Sequence, residues 1–176
     1  MSRVLTDTLD PMKDEVDRLI EAWRRERPDL DVAPMEVLSR VSRLARHLDR
    51  ARSQAFATHG LESWEFDVLA ALRRAGAPYQ LSPGRLLKET LVTSGTMTNR
   101  VDRLAARGLV ERLPDPADRR GVLVQLTTAG RDAVDAALAD LLAHERTLLA
   151  AVTDRDQAKL ARLLRDLVGP FDQETH

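Results

Sequence analysis

The strongest structural signals of this sequence lie in two segments, SGTMTNRVDRL (residues 94–104) and GLVERLPDPADRRGVLVQLTTAGR (residues 108–131). The first segment predicts a helix that Thr93 or Ser94 caps and that Gly108 ends. At about 100° per residue, one side of this helix is an apolar seam made of Met97, Val101 and Leu104. The opposite side is small and polar. It consists of Gly95, Thr98, Asn99 and Asp102, with Thr96 and Arg103 on its flank.

A shorter helix, from Ser82-Pro83 to about Glu89, precedes this polar helix. A short helix, a turn and a second helix with a small polar outer side are typical of a helix-turn-helix. Asn pairs with adenine and Arg with guanine in the major groove, and hydroxyl groups suit phosphate oxygens. An ordinary surface helix is the alternative, because Thr and Asn are common on surfaces. The predicted DNA contacts of this helix are Ser94, Thr96, Thr98, Asn99 and Arg103.

The second segment predicts a hairpin with a charged tip. Two strand-like runs, residues 109–114 and 121–126, are joined by the sequence DPADRR. Arginines on a narrow protrusion suit the minor groove, where negative potential is concentrated. Asp118 lies two residues before Arg120 and is expected to hold its guanidinium. Because this hairpin follows a helix-turn-helix, we interpret it as a wing whose DNA contacts are Asp118, Arg119 and Arg120.

The charge of the chain is unevenly distributed. Residues 82–131 contain nine basic and five acidic residues and carry +4, whereas all 176 residues together carry −1. A basic block in an acidic frame is typical of a nucleic-acid-binding surface on a protein that is otherwise acidic. A solvated surface of mixed charge is the alternative that composition leaves open.

Long amphipathic helices are predicted on both sides of this central module. Residues 77–81, before the short helix at Ser82-Pro83, are expected to form a turn and a brief strand. The expected ranges of the long helices are Pro11 (capped by Asp10) to Pro28, Pro34 to Ala57 (ended by Gly60), Ser63 to Ala75 (ended by Gly76), Thr127 (the cap) to Leu149, and Thr153 to Gly169-Pro170. Their apolar sides exceed what the small module can cover, so we expect a homodimer. The predicted fold is mainly α with a small β-hairpin wing, a winged helix-turn-helix plus long dimerisation helices. We expect one compact protomer with N-terminal helices (1–60), a DNA-binding core (61–131) and C-terminal dimerisation helices (132–176).

Several classes of protein are disfavoured by composition and motif. The chain has no cysteine, which excludes disulfides, thiolate metal sites and a cysteine nucleophile. Common nucleotide-binding and hydrolase motifs are absent and the four histidines are scattered, so no enzyme, cofactor or metal site is expected. The longest apolar run, residues 148–152, is far too short to span a membrane. Residues 1–10 are polar and lack a secretory signal pattern, so we expect a cytoplasmic protein.

The two quoted segments together resemble the winged-helix core of the MarR family of transcriptional regulators. The likeness extends through the flanking helices to nearly the whole chain, and the helix, the wing and LTTAGR (residues 126–131) follow in the family's order. The resemblance implies a dimer that binds a pseudo-palindromic operator, usually as a repressor, and releases it when a small molecule binds. It also gives Asp118 and Arg120 the wing-tip roles, with Arg120 in the minor groove.

Four further residues suggest a site for an anionic effector. Arg100 lies beside the apolar seam of its helix, and Arg112 shares a strand face with Val110, so both could converge on an anion. Asp67 is expected to pair with one of these arginines, and Trp23 to form an aromatic wall. Core packing of Trp23, a helix-start role for Asp67 and structural ion pairs or phosphate contacts for the arginines are the alternatives.

The same four residues resemble the urate-responsive branch of the family, which adds an N-terminal helix with a tryptophan. They stand in EAWRRE, EFDVL, TNRVDRL and VERLP. This resemblance implies that urate or a related purine displaces the helix carrying Arg100. A citrate- or aconitate-like acid or a phenolic compound is an alternative effector. A ligand-independent architectural DNA binder is the alternative function.

Overall fold

The computed structural model describes residues 13–90 and 94–173, with the backbone alone for residues 94, 119, 172 and 173. The predicted helix start at Asp10-Pro11 and the alternative cap Thr93 lie outside these residues. The described part is mostly helical with one small sheet, which confirms the predicted class. Its elements are α1 (Glu15–Glu26), α2 (Pro34–Ala57), α3 (Ser63–Arg74), β1 (Gln80–Leu81), α4 (Pro83–Thr90), α5 (Ser94–Ala106), β2 (Val110–Asp115), β3 (Asp118–Leu126), α6 (Thr128–Leu149) and α7 (Asp154–Gln173).

The chain divides into two compact units, and the boundary between Arg50 and Ala51 falls within α2. The first unit has a small apolar core made of Val16, Ile20 and Val32. The second unit holds the larger core, which includes Phe56, Leu69, Leu72, Leu86, Met97, Leu104, Val124 and Val134. The predicted division into three functional parts stays a prediction.

Helix α1 begins later than the sequence predicted. The Asp14 carboxylate accepts a hydrogen bond from the Asp17 backbone N–H, and the Asp17 carboxylate accepts one from the Asp14 N–H, each at 2.9 Å. This reciprocal cap satisfies two backbone donors at the helix start. Lys13 and Asp14 are therefore not helical, and the prediction of one helix from Pro11 is wrong for these two residues.

Three of the predicted helix breakers act as expected and one does not. Gly60, Gly76 and Gly108 have φ of +67°, +77° and +70° and follow the ends of α2, α3 and α5. Gly169 stays within α7, which continues through Pro170 to Gln173, so the predicted end at Gly169-Pro170 is wrong. Glycine permits the left-handed conformation without requiring it, and the fixed φ of proline is itself helical.

Strand β3 is the centre of a three-stranded antiparallel sheet in the order β1-β3-β2. The predicted brief strand before α4 is confirmed as β1, and Gln80 lies opposite Gln125 of β3. Asp115 pairs with Asp118, so β3 begins at Asp118 rather than at Gly121 as predicted. The β2–β3 hairpin, called the wing below, therefore has a tip of only two residues.

The start of α6 is fixed against the wing. Thr127 caps this helix as predicted, because its hydroxyl oxygen accepts a hydrogen bond from the Gly130 N–H at 3.0 Å. The same hydroxyl contacts the carbonyl oxygen of Gly108 at 2.8 Å. One side chain thus joins the beginning of α6 to the connection between α5 and β2.

Candidate nucleic-acid interface

Helix α5 is anchored in the core by the seam that the sequence predicted. Met97, Val101 and Leu104 are 1%, 1% and 0% exposed, which confirms the helical phase. The predicted DNA contacts of this helix are consequently on the solvent side: Thr96, Thr98, Asn99 and Arg103 are exposed, and Ser94 is the first helical residue. The buried apolar side of α5 packs on the core, and its exposed side carries small polar residues. Such a helix can enter a DNA groove without a change in its backbone.

One flank of α5 contacts the start of α3. The Arg103 guanidinium donates to the Glu62 carboxylate at 2.7 Å and lies 4.7 Å from the centre of the Trp64 ring. Arg100 lies over the same ring at 5.4 Å. The Trp64 indole N–H donates to the other Glu62 oxygen at 2.8 Å, and this bond, with the nearby Arg103 charge, lowers the pKa of Glu62 below its ordinary value. The roles of Glu62 and Trp64 were not predicted from the sequence.

The other flank of α5 contacts the wing. Arg112 of β2 donates to the Asp102 carboxylate at 2.6 Å. Arg112 lies opposite the buried Val124 in the sheet, and Val110 lies opposite Leu126, so both β2 residues face the helices, as the alternation predicted. Arginine–carboxylate pairs thus join α5 to the start of α3 on one flank and to β2 on the other.

The wing tip is ordered by carboxylates that accept backbone hydrogen bonds. Asp115 accepts from the Ala117 N–H and Asp118 accepts from the Arg120 N–H, each at 2.9 Å. Among the ion pairs of the described residues none joins Asp118 to the Arg120 guanidinium, so the expectation that Asp118 holds this guanidinium is wrong. The side chain of Arg120 is exposed, and that of Arg119 lies outside the described atoms.

An ion pair between a buried carboxylate and a partly exposed arginine fixes the end of α5. Glu65 is only 1% exposed, and its carboxylate accepts from the Arg107 guanidinium and from the Glu62 N–H. Arg107 also donates to the carbonyl oxygen of Gly60 at 2.7 Å. No local signal in the sequence marks this pair, since the two residues are 42 positions apart. It ties the last turn of α5 to the loop before α3.

The three predicted effector residues of the second unit, Asp67, Arg100 and Arg112, have separate partners. Asp67 pairs with Arg52 at 3.5 Å, so the expected pairing with Arg100 or Arg112 is wrong. Asp67 and Arg100 line different grooves, the former beside Arg74 and Glu89 and the latter beside Trp64. Trp23 belongs to the first unit, where its side chain is 45% exposed. Their ligand roles stay a prediction.

The order of α4, α5 and the wing defines a winged helix-turn-helix, a class of DNA-binding protein. A MarR family model matches residues 59–121. The chain is 39% identical over 150 residues to the HTH-type transcriptional regulator PecS of Dickeya dadantii (strain 3937), covering 85% of this chain and 90% of PecS. It is 32% identical over 143 residues to the repressor NicR of Pseudomonas putida (strain KT2440), covering 79% and 89%. The chain belongs to the MarR family and is a DNA-binding transcriptional regulator, not an enzyme.

A solved structure supports the DNA-binding assignment. A mutant MarR of E. coli, crystallised in complex with operator DNA, is 30% identical with a TM-score of 0.64, covering 79% of this chain and 99% of that one.

In the described part of this chain, no helix combines the length and apolar character that crossing a membrane requires. The same part holds no cluster of three or more His, Asp and Glu residues suited to a metal ion.

Proposed function

We propose that this regulator is a repressor that binds a pseudo-palindromic operator as a homodimer and leaves it when a small organic anion binds. Urate or a related purine is the effector that we favour. The observation that carries the DNA-binding part is the exposed polar side of α5, which stands in one module with the exposed Arg120 of the wing. Repression then follows from occupancy of the operator.

The proposed interface combines two kinds of contact. Asn99 at the exposed centre of α5 reads base edges in the major groove, while Thr96, Thr98 and Arg103 contact phosphates around it. The wing extends to the adjacent minor groove, where Arg120 meets the negative potential of the groove floor. Both carboxylates of the tip are bonded to the backbone, so they shape the turn that presents Arg120.

The homodimer is supported by the apolar side of α7. No residue of this helix is buried in the described part of the protomer, and five large apolar side chains are 40–69% exposed. They are Leu160, Leu163, Leu167, Val168 and Phe171. Exposed apolar stripes of this size are typical of an interface between chains. A second copy presenting the same stripe would cover it with twofold symmetry.

The anionic effector is supported by the cations near the predicted ligand residues. Asp67 lies in a groove with Arg52 and Arg74, and each of these arginines makes a long ion pair, at 3.5 and 3.6 Å. An anion could compete for such weakly held guanidinium groups. On the other side of the module, an anion that takes Arg112 from Asp102 would remove a link between α5 and the wing.

The effector is tested by titrating a complex of the full chain with a duplex selected from a random pool by binding. Urate, xanthine, citrate and a phenolic acid form the panel, and mobility shift and thermal melting are the readouts. We expect urate or xanthine to release the DNA and to raise the melting midpoint of the free protein, because a ligand of the native state stabilises it. No release and no shift with any compound would favour the architectural function.

The wing contact is tested with Arg120→Ala. We expect weaker operator binding and a salt dependence that is shallower by about 0.9 per phosphate charge no longer neutralised. The control is Arg146→Ala on α6, which removes the same charge outside the interface. Equal affinity of the Arg120→Ala protein and the parent would refute the wing assignment.

A further inference from the structure

Glu62 is an acidic residue beside the helix that we propose to contact DNA. It is 58% exposed, and its partner Arg103 is 54% exposed, so both groups are open to solvent on the α3 flank of α5. The side chains of α5 on this flank follow the spacing i, i+3, i+4 and i+7. They are Thr96, Asn99, Arg100 and Arg103, and they line one groove with Trp64 and Glu62. Glu62 is the sole acid among the residues of this groove.

The contacts of Arg103 resemble those of an arginine already bound to a phosphate. The guanidinium carbon lies over the Trp64 ring, 4.7 Å from its centre, while a terminal nitrogen donates to a carboxylate oxygen. Carboxylate and phosphate offer a guanidinium the same kind of anionic oxygen at the same distance. The cation–π contact with the indole restricts the side chain without using its hydrogen-bond donors. Trp64 therefore keeps the Arg103 guanidinium in position, and the Glu62 carboxylate is an anion that a phosphate can replace.

We propose that Glu62 is a positioning residue that occupies, in the free protein, the place of a DNA backbone phosphate. The inference rests on the proposed contact of Arg103 with DNA. On binding, Arg103 exchanges Glu62 for the phosphate and keeps its cation–π contact with Trp64. The exchange leaves the Glu62 carboxylate without its cation beside the duplex. Glu62 thereby lowers affinity for any DNA, so that occupancy depends more on base contacts.

The first test is Glu62→Gln, which keeps an acceptor for the Trp64 indole and removes the charge. We expect binding to become about two- to fivefold tighter per protomer, the range that an exposed ion pair represents. The salt dependence should steepen by up to about 0.9 per protomer. The gain should be equal for the selected operator and an unrelated duplex. A loss of affinity, or a gain for the operator alone, would overturn the exchange.

The matched control is Asp135→Asn. Asp135 accepts from Arg73 at 2.8 Å, so this variant also removes one acid and one arginine pair, at the other end of α3 from Glu62. We expect no gain in DNA affinity. A gain equal to that of Glu62→Gln would show an effect of net charge alone and refute the role of Glu62. Glu62→Ser, which retains a good helix cap, repeats the test if the glutamine variant melts early.

A double-mutant cycle separates this inference from the proposed interface. Arg103→Ala should weaken binding, and Glu62→Gln should give a smaller gain in the Arg103→Ala background, because only the repulsion between Glu62 and the duplex, and not the lost ion pair, remains there. An equal gain in both backgrounds refutes the exchange. Loss with Arg103→Ala but no effect of Glu62→Gln refutes the exchange alone. No loss with Arg103→Ala refutes the proposed contact and, with it, the exchange.

Discussion

Gly130 shows how one missing side chain fixes the position of α6 against the wing. A Cβ atom at this position would lie 2.0 Å from the carbonyl oxygen of Leu109, which is backbone and cannot rotate away. We expect Gly130→Ala to destabilise the protein by about 1–3 kcal/mol or more, as overpacking does. Thermal melting measures the effect.

The control is Gly84→Ala in α4, where a Cβ meets nothing within 4 Å. This variant should be neutral or stabilising, because alanine restricts the unfolded chain. Similar melting midpoints for the two variants would contradict the close approach of α6 to Leu109.

The Asp14 carboxylate should make the stability of the first unit depend on pH in the acid range. A hydrogen bond from Arg40 lowers the pKa of Asp14 from 3.8 to about 2. Because the folded pKa is the lower one, Asp14 stabilises the fold above pH 3.8, and this contribution is lost as the pH falls towards 2. We expect Asp14→Asn, which keeps a good cap, to melt below the parent at pH 6. The difference should shrink as the pH falls and vanish only below about pH 2, and a constant difference would refute the pairing.

Individual residues differ in how far local sequence determines their role. The seam of Met97, Val101 and Leu104 was predictable because helical period alone places it. The bond from Asp118 to the Arg120 N–H was not, because an aspartate beside an arginine can accept from either the guanidinium or the backbone. Glu65 and Arg107 carry no local signal, since their pairing exists only after α3 and α5 are packed together.

At the scale of elements, the order of the helices and the wing could be predicted from helix-ending glycine and proline residues and from the apolar–polar alternation of the strands. The contacts between elements could not be predicted from these signals. The brief strand β1 was predictable as a strand, but its pairing with β3 depends on the path of the chain between α3 and α4. The end of α7 was mispredicted because Gly169 and Pro170 are both compatible with helical φ. The flanks of α5 depend on side chains of α3 and β2 that no periodicity in α5 reveals.

The link between α5 and β2 should transmit effector binding rather than hold DNA. The Arg112–Asp102 pair is exposed at 36% and 63%, so its contribution to stability is small. We expect Arg112→Ala to bind the operator with nearly the parent affinity and to need a higher concentration of the releasing anion. Mobility shift with increasing anion measures both values. Arg112→Lys keeps the charge and should restore part of the response, and a normal release curve for Arg112→Ala would refute the role.

At the scale of the whole molecule, we expect operator affinity to depend on dimer formation through the apolar side of α7. Leu163 lies within the exposed stripe and is itself 52% exposed, so Leu163→Glu adds a charge where a second copy would dock. We expect light scattering to report a monomer for this variant and a dimer for the parent. Operator affinity should fall by about a hundredfold or more, since two half-sites are then bound independently.

The control for assembly is Arg162→Glu, which changes charge on the opposite side of α7 by helical geometry. It should leave both mass and affinity close to those of the parent. A dimeric Leu163→Glu protein would refute α7 as the dimer surface. A monomeric one that keeps full operator affinity would refute binding to two half-sites, because linkage through the dimer is what makes two weak module contacts act as one strong contact.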